Sequence, residues 1–183
     1  MRTARALVAL LATLPPAANA REVSGVELPA TVTVDGTELS LNGAGVRKRA
    51  WIEVYVGALY LQEPSSDAEA IVQADAPKRV RMVFLRNVDR KSILRAFQEG
   101  FEKNSPEQAQ ALTKQLERVK PAIADVKKGG ELVVEYAPGV GTTVTGPGGA
   151  ATVEGKAFAD GLLRNWLGPK PADGKLKRKM LGK

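Results

Sequence analysis

The chain has 183 residues and a net charge of +7, with no cysteine and no histidine. The missing histidine removes the commonest general base, the usual metal ligand and every Ser-His or Cys-His nucleophile pair. Without thiolates as well, zinc, copper, haem and iron–sulfur sites are not expected, no cofactor is called for, and a disulfide framework is impossible.

Residues 1–20 read as a signal peptide. Arg2 and Arg5 form a basic start, Ala6 to Leu14 an apolar run, and Ala18-Asn19-Ala20 a small-x-small cleavage signal. The apolar run is about half of the ~20 residues that a membrane-spanning helix needs. The expectation is export to the periplasm with cleavage after Ala20, leaving residues 21–183 as one domain with its own core. No other run is long enough for a transmembrane segment. Most of the basic surplus is scattered and reads as a solvated surface. The one dense cluster is Lys175, Lys177, Arg178, Lys179 and Lys183. No nucleic-acid motif accompanies it, so no nucleic-acid partner is expected.

Two alternating runs, Ala30–Val34 and Thr37–Leu41, flank Asp35-Gly36 and predict a hairpin with a type I′ turn. Next comes the stretch that organises the chain, Gly43–Leu61. Glycines 43 and 45 permit a close backbone approach, and Arg47-Lys48-Arg49 leads into a long apolar strand signal. Alternation puts Ile52, Val54 and Val56 on one face and Trp51, Glu53, Tyr55 and Gly57 on the other. Arg47 is a permanent cation entering what should be the most buried strand.

Ser65–Val72 reads as a short capped helix, and Lys78–Leu85 as a strand in which Arg79 and Arg81 alternate with apolar residues. Asp89 caps a helix to about Lys103, with Ile93, Leu94, Phe97 and Phe101 on its apolar face. Ser105-Pro-Glu-Gln108 has the pattern of a capping box opening a second helix, whose stripe is Ala109, Leu112, Leu116 and Val119. Pro121 kinks or divides that helix, and Lys127-Lys128-Gly129-Gly130 reads as a C-cap and turn. Glu131–Tyr136, Thr142–Thr145 and Ala151–Val153 form a meander with glycine-rich turns. Those turns lack the strand-to-helix context of a phosphate loop. A helix over 157–167, with Phe158, Leu162 and Trp166 inward, and a short one over 174–181 close the chain. Strand runs around a central block of helices predict an α+β fold: a large antiparallel sheet with a layer of helices on one face.

Gly43-Ala-Gly-Val-Arg47, the following strand and Gly57-Ala-Leu-Tyr-Leu-Gln62 resemble the signature of the chalcone isomerase fold family. Phe84–Asp89, Glu99–Asn104, Tyr136–Val144 and Leu163–Pro171 are similar to its exported, bacterial branch, so the likeness runs from about Val26 to Gly182. It implies a cleft for a hydrophobic ligand between sheet and helices. The family includes enzymes that cyclise chalcones and non-catalytic members that bind fatty acids. In both, the resemblance puts the arginine after the glycines, here Arg47, in the cleft. In the fatty-acid binders it adds a tyrosine on the same strand, here Tyr55, at the ligand carboxylate. Of the enzymes' other polar residues, a threonine is replaced by Tyr55. A tyrosine and an asparagine fall near Ser92 and Glu99, and a threonine or serine falls at Asn165.

The residues give this binding reading a basis of its own. A guanidinium pairs bidentately with a carboxylate and stays charged when partly desolvated, and a phenol can add a third donor. The reading drawn is a non-catalytic periplasmic binder of a fatty acid or similar hydrophobic anion, held by Arg47, Tyr55 and Asn165. Two alternatives stand beside it: an isomerase or lyase in which Arg47 stabilises an oxyanion, and a protein-interaction module whose cleft is filled by side chains.

Overall fold

The computed structural model describes residues 20–183. The leader expected over residues 1–20 therefore lies, but for its last residue, outside the described residues. The two-residue turns organise the first strands. Asp35 (φ +46°) and Gly36 (φ +75°) are both left-handed, the type I′ geometry expected, and they join β3 (Thr31–Val34) to β4 (Thr37–Arg49). Ser24 and Gly25 do the same between β1 (Arg21–Val23) and β2 (Val26–Leu28), a hairpin whose three-residue strands give no periodicity to read.

The Gly43–Leu61 stretch is two strands. β4 runs on through the basic triplet to Arg49, Ala50 and Trp51 make the turn, and β5 spans Ile52–Leu61. Trp51 therefore stands at a hairpin tip, not on a strand face. A bulge also shifts Val54. Arg47 pairs with Tyr55 and Lys48 with Glu53, so Val54 is the extra residue, and it packs on the helix side beside Tyr55 instead of with Val56.

After β5 come α1 (Ala68–Gln73), β6 (Lys78–Phe84), α2 (Arg90–Asn104), α3 (Ala109–Val119), β7 (Glu131–Ala137), β8 (Gly141–Gly146), β9 (Gly149–Val153), α4 (Lys156–Leu167) and α5 (Gly174–Met180). Asp89 caps α2 as expected, its carboxylate accepting from the Ser92 N–H. Asp67 caps α1, so the helix expected over Ser65–Val72 starts at Ala68. Ser105 makes no side-chain cap bond; a tight 3₁₀ turn over Pro106–Gln108 precedes α3, so the capping-box pattern is not realised. Pro121 ends α3 in a second such turn at Lys120–Ala122. The chain is extended beyond it, with Val126 bridged to Val88, so Lys127–Gly130 is a turn and not a helix C-cap.

β3 to β9 form one antiparallel sheet in chain order. Its helix face carries Tyr55, Leu59, Val80, Met82, Phe84, Leu132 and Val134, packed against Phe97, Phe101, Leu112, Leu116, Phe158, Leu162 and Trp166. The opposite face is covered too, which the one-sided expectation missed. There Leu28, Val34, Leu39, Val56, Ala58 and Tyr60 form a second core under β1, β2 and β3. Arg81 reaches the Glu27 carbonyl and Arg79 the Thr33 carbonyl, so the sheet curls back toward its own first strands.

Candidate functional site

Gly43, Gly45 and Gly57 share the helix face and leave a trough of bare backbone across β4 and β5. A Cβ on Gly43 would stand 2.2 Å from the Lys179 carbonyl oxygen, and one on Gly45 2.7 Å from the Lys179 Cβ. The trough thus exists because α5 lies in it, and Leu176 and Met180 fill it, fully buried. α5 is held at both ends. Asp173 caps its first turn and accepts the Lys48 N–H at 2.9 Å. Asn42, a bulge residue of β4, donates to the Met180 carbonyl at 2.8 Å and exchanges two bonds with Ser65.

Arg47 follows the trough on the same face, opposite Tyr55. Its guanidinium carbon is 5.7 Å from the centre of the Tyr55 ring. Its Nε is buried and has no hydrogen-bond partner among the described residues. Asp173 supplies a field but no ion pair. Burial raises the Asp173 pKa, yet the Lys48, Leu176 and Lys175 N–H groups and the Arg47 charge outweigh it, so this carboxylate is held below its ordinary range.

The Tyr55 phenol is buried and accepts the Trp166 indole N–H at 2.8 Å. Burial pushes its pKa up, against the Arg47 charge and the Trp166 bond, so the group stays a neutral O–H. Its own hydrogen has no acceptor among the described residues. Phe84 lies 5.6 Å from the Tyr55 ring and Phe97 6.0 Å from Trp166, so the phenol faces a dry, aromatic surround. Arg47 and Tyr55, paired residues of adjacent strands, thus each keep one donor without an acceptor among the described residues, and such donors suit an anion.

Of the three expected site residues, the structure brings Arg47 and Tyr55 together. Asn165 is buried on α4 with its amide against α2. Its Oδ1 would lie 1.2 Å from a Cβ on Gly100, and its Nδ2 donates back to the Leu162 carbonyl at 3.1 Å. The neighbour that reaches Tyr55 is Trp166, which the sequence reading assigned only to the core. One step along a helix turns a side chain by about 100°, and position alone does not say which of two adjacent residues faces the sheet. Ser92 and Glu99 are exposed on α2, bonded to Asp89 and paired with Lys103 respectively.

The open cleft expected between sheet and helices is filled by Leu176, Met180, Trp166 and Phe97. Two grooves are described. The larger, about 570 Å³, lies between α2 and the end of α3 and is lined by Arg90, Lys91, Arg95, Glu117, Lys120 and Asp125 among others. The smaller, about 270 Å³, lies beside it at Asn87–Asp89 and Asp125–Lys127. Neither includes Arg47, Tyr55 or Asn165.

The chalcone isomerase-like family profile matches residues 20–182. Among solved structures, the chain is similar to the crystal structure of a fatty-acid binding protein of Arabidopsis thaliana, with a TM-score of 0.65 and 18% sequence identity. The alignment covers 86% of this chain and 92% of that one. At that identity the likeness is one of fold. No curated protein sequence matches the chain.

Proposed function

The chain belongs to the chalcone isomerase-like family, and from that premise we propose that it is a non-catalytic binding protein for a fatty acid or similar hydrophobic anion, working in the periplasm after loss of residues 1–20. The observation that carries this reading is the buried Arg47 Nε–H without an acceptor, beside a Tyr55 O–H without one. A carboxylate satisfies both, and charge-assisted bonds of this kind are among the strong ones. The fatty-acid binding protein of similar fold supports the same ligand class.

The filled interior sets the energetics. The apolar ground nearest Arg47 is the glycine trough, now occupied by Leu176 and Met180, so an acyl chain enters by displacing α5. Ten methylenes gain about 8 kcal/mol at roughly 0.8 each, while uncovering Leu176, Met180 and Leu181 costs about 1.5–3 kcal/mol apiece. The exchange is nearly balanced. The headgroup bonds, about 1.5–3 kcal/mol, then decide whether ligand binds at all. Asn165 enters this reading as the residue that seats α4 against Gly100 and so sets where Trp166 stands.

An isomerase or lyase would need a base near Arg47. Ser92 and Glu99 face solvent, and Tyr55 holds its proton more firmly than a free phenol. A protein-interaction module remains as the second reading, favoured by the interior being filled with side chains.

Native mass spectrometry and titration of the delipidated mature protein with palmitate or oleate test the proposal. The expected result is a one-to-one complex, with affinity at least tenfold lower in Arg47→Ala at unchanged melting temperature. Equal affinity in that variant overturns the proposal, and no binding by the wild type leaves the second reading. Intact mass of the exported protein tests the location, and an N-terminus other than Arg21 overturns it.

A further inference from the structure

The β4–β5 tip has no packing role that accounts for its sequence. Trp51 is 86% exposed and Ile52 40%; Val140, the remaining large exposed hydrophobic among the described residues, lies at the opposite end of the sheet in the β7–β8 turn. Ala50 takes φ +56° to make this turn, a left-handed position that ordinarily goes to glycine. The chain thus holds a large aromatic side chain out in solvent on a strained two-residue turn.

Cations stand behind that apolar point. Arg49 pairs with Ile52 and is exposed, and Lys48 is exposed one step further along β4, sharing Glu53 at 2.9 Å. The start of α5 lies at the same end, because Asp173 accepts the Lys48 N–H. It brings Lys175, with Arg178 and Lys179 exposed further along the helix. An apolar aromatic tip with Lys48, Arg49 and Lys175 on the elements just behind it matches the layering of a bilayer surface, acyl boundary first and phosphates behind it.

We propose that the β4–β5 tip docks the protein on an anionic lipid bilayer, with Trp51 and Ile52 entering the headgroup boundary and Lys48, Arg49 and Lys175 meeting lipid phosphates. Area favours a bilayer over a protein partner. A tryptophan presents about 150–250 Å², far short of the ~800 Å² per partner that a stable protein interface buries. A membrane accepts a single interfacial indole, and each nearby cation adds attraction to an anionic leaflet. No helix among the described residues is long and apolar enough to cross a membrane. The docking does not depend on the ligand reading above. Where that reading holds, Arg47, two residues from Arg49 on β4, would sit next to the membrane that supplies its amphiphile.

The test is co-sedimentation of the mature protein with phosphatidylglycerol vesicles and with phosphatidylcholine vesicles, alongside tryptophan emission. The expected result is binding to the anionic vesicles alone, with a blue shift from Trp51. Trp51→Ala should weaken binding at least tenfold and abolish the shift, while the buried Trp166 signal reports an intact fold. Lys48→Glu with Arg49→Glu should weaken it similarly. Arg47→Lys, which keeps the charge but not the guanidinium fork, should bind vesicles as the wild type does even where it loses fatty acid. The two proposals therefore fail separately. No sedimentation with either vesicle, equal binding to both, undiminished binding by Trp51→Ala, or the tip being taken up by a protein instead, would each overturn the docking proposal.

Discussion

On the face covered by β1, β2 and β3, Arg79 and Arg81 each engage a carboxylate supplied by β7. Arg79 bonds Glu135 directly across the strand pair, through Nε at 2.7 Å and through Nη2, and Arg81 grips both oxygens of Glu131. Arg79 Nη2 also reaches the Thr33 carbonyl, and Arg81 Nη1 donates to the Glu27 carbonyl. Arg47, on the helix face, is also a strand arginine beside a tyrosine, yet among the described residues it has no carboxylate in bonding range and its Nε–H is idle. An arginine that only holds a fold together tends to come with its anion, because leaving donors unpaired in a dry place is expensive. Arg47 has no such anion among the described residues, and the proposed ligand is what would supply one. Each variant below should disturb one of these environments and spare the other.

The largest effect is expected at the roof of the Arg47 site. Gly43→Ala puts a methyl group 2.2 Å from the Lys179 carbonyl oxygen, a backbone atom that cannot swing aside. α5 must lift, at a cost of about 3 kcal/mol, measured as a lower urea midpoint. Arg79 and Arg81 should keep their partners, and protection of β6 and β7 amides from exchange should persist until global unfolding.

Arg81→Ala breaks the other side of the comparison. It strands Glu131 and removes the cation next to the Tyr60 hydroxyl, so a loss of about 2 kcal/mol is expected. Fatty-acid affinity should not move. A variant that lost affinity in proportion to stability would dissolve the distinction between the two arginines.

Tyr55→Phe sits nearer the balance. It leaves the Trp166 indole N–H buried without an acceptor, worth about 1–2 kcal/mol of stability. It also removes one of the two donors offered to a carboxylate, so affinity should fall several-fold, less than in Arg47→Ala. Calorimetry of both variants with the same fatty acid separates the two contributions.

What could be read in the sequence follows the range of the forces involved. The Asp35-Gly36 hairpin, the Asp89-capped helix and the apolar stripes of α2 and α3 are local, and their residues announce them. Arg47 and Tyr55 were named together by the resemblance alone, which implied one strand for both, whereas they face each other across the β4–β5 pair. The Ala50-Trp51 turn was hidden because it contains no glycine, proline or asparagine. The filled interior was hidden because it depends on α5 docking over bare glycines, a contact that Asn42 and Met180 make across a sequence separation of 138.

Lys78 sharpens the comparison by standing between the two cases, a cation satisfied by dipoles and not by its own anion. It is 3% exposed, and its Nζ donates to the Ile71 and Ala74 carbonyls at 2.7 Å each. Burial, then the charge of Lys156, lowers its pKa from 10.5 to about 8, with Asp160 and Asp75 opposing. The folded protein therefore releases this proton more readily than the unfolded chain does. Above about pH 8 the unfolded state binds more protons, so stability rises with pH there, by about 1 kcal/mol between pH 7 and 9. Tyr136 runs the other way. Burial and the bond to Asp75 push it from 10.0 to about 12, so the stability it contributes is lost above pH 10. Urea unfolding of the wild type should improve from pH 7 to 9 and decline beyond about pH 10. In Lys78→Met the first rise should vanish while the later decline remains. Parallel curves for the two proteins would mean that Lys78 is no more strained than a surface lysine, and that carbonyl dipoles alone suffice to neutralise a buried cation.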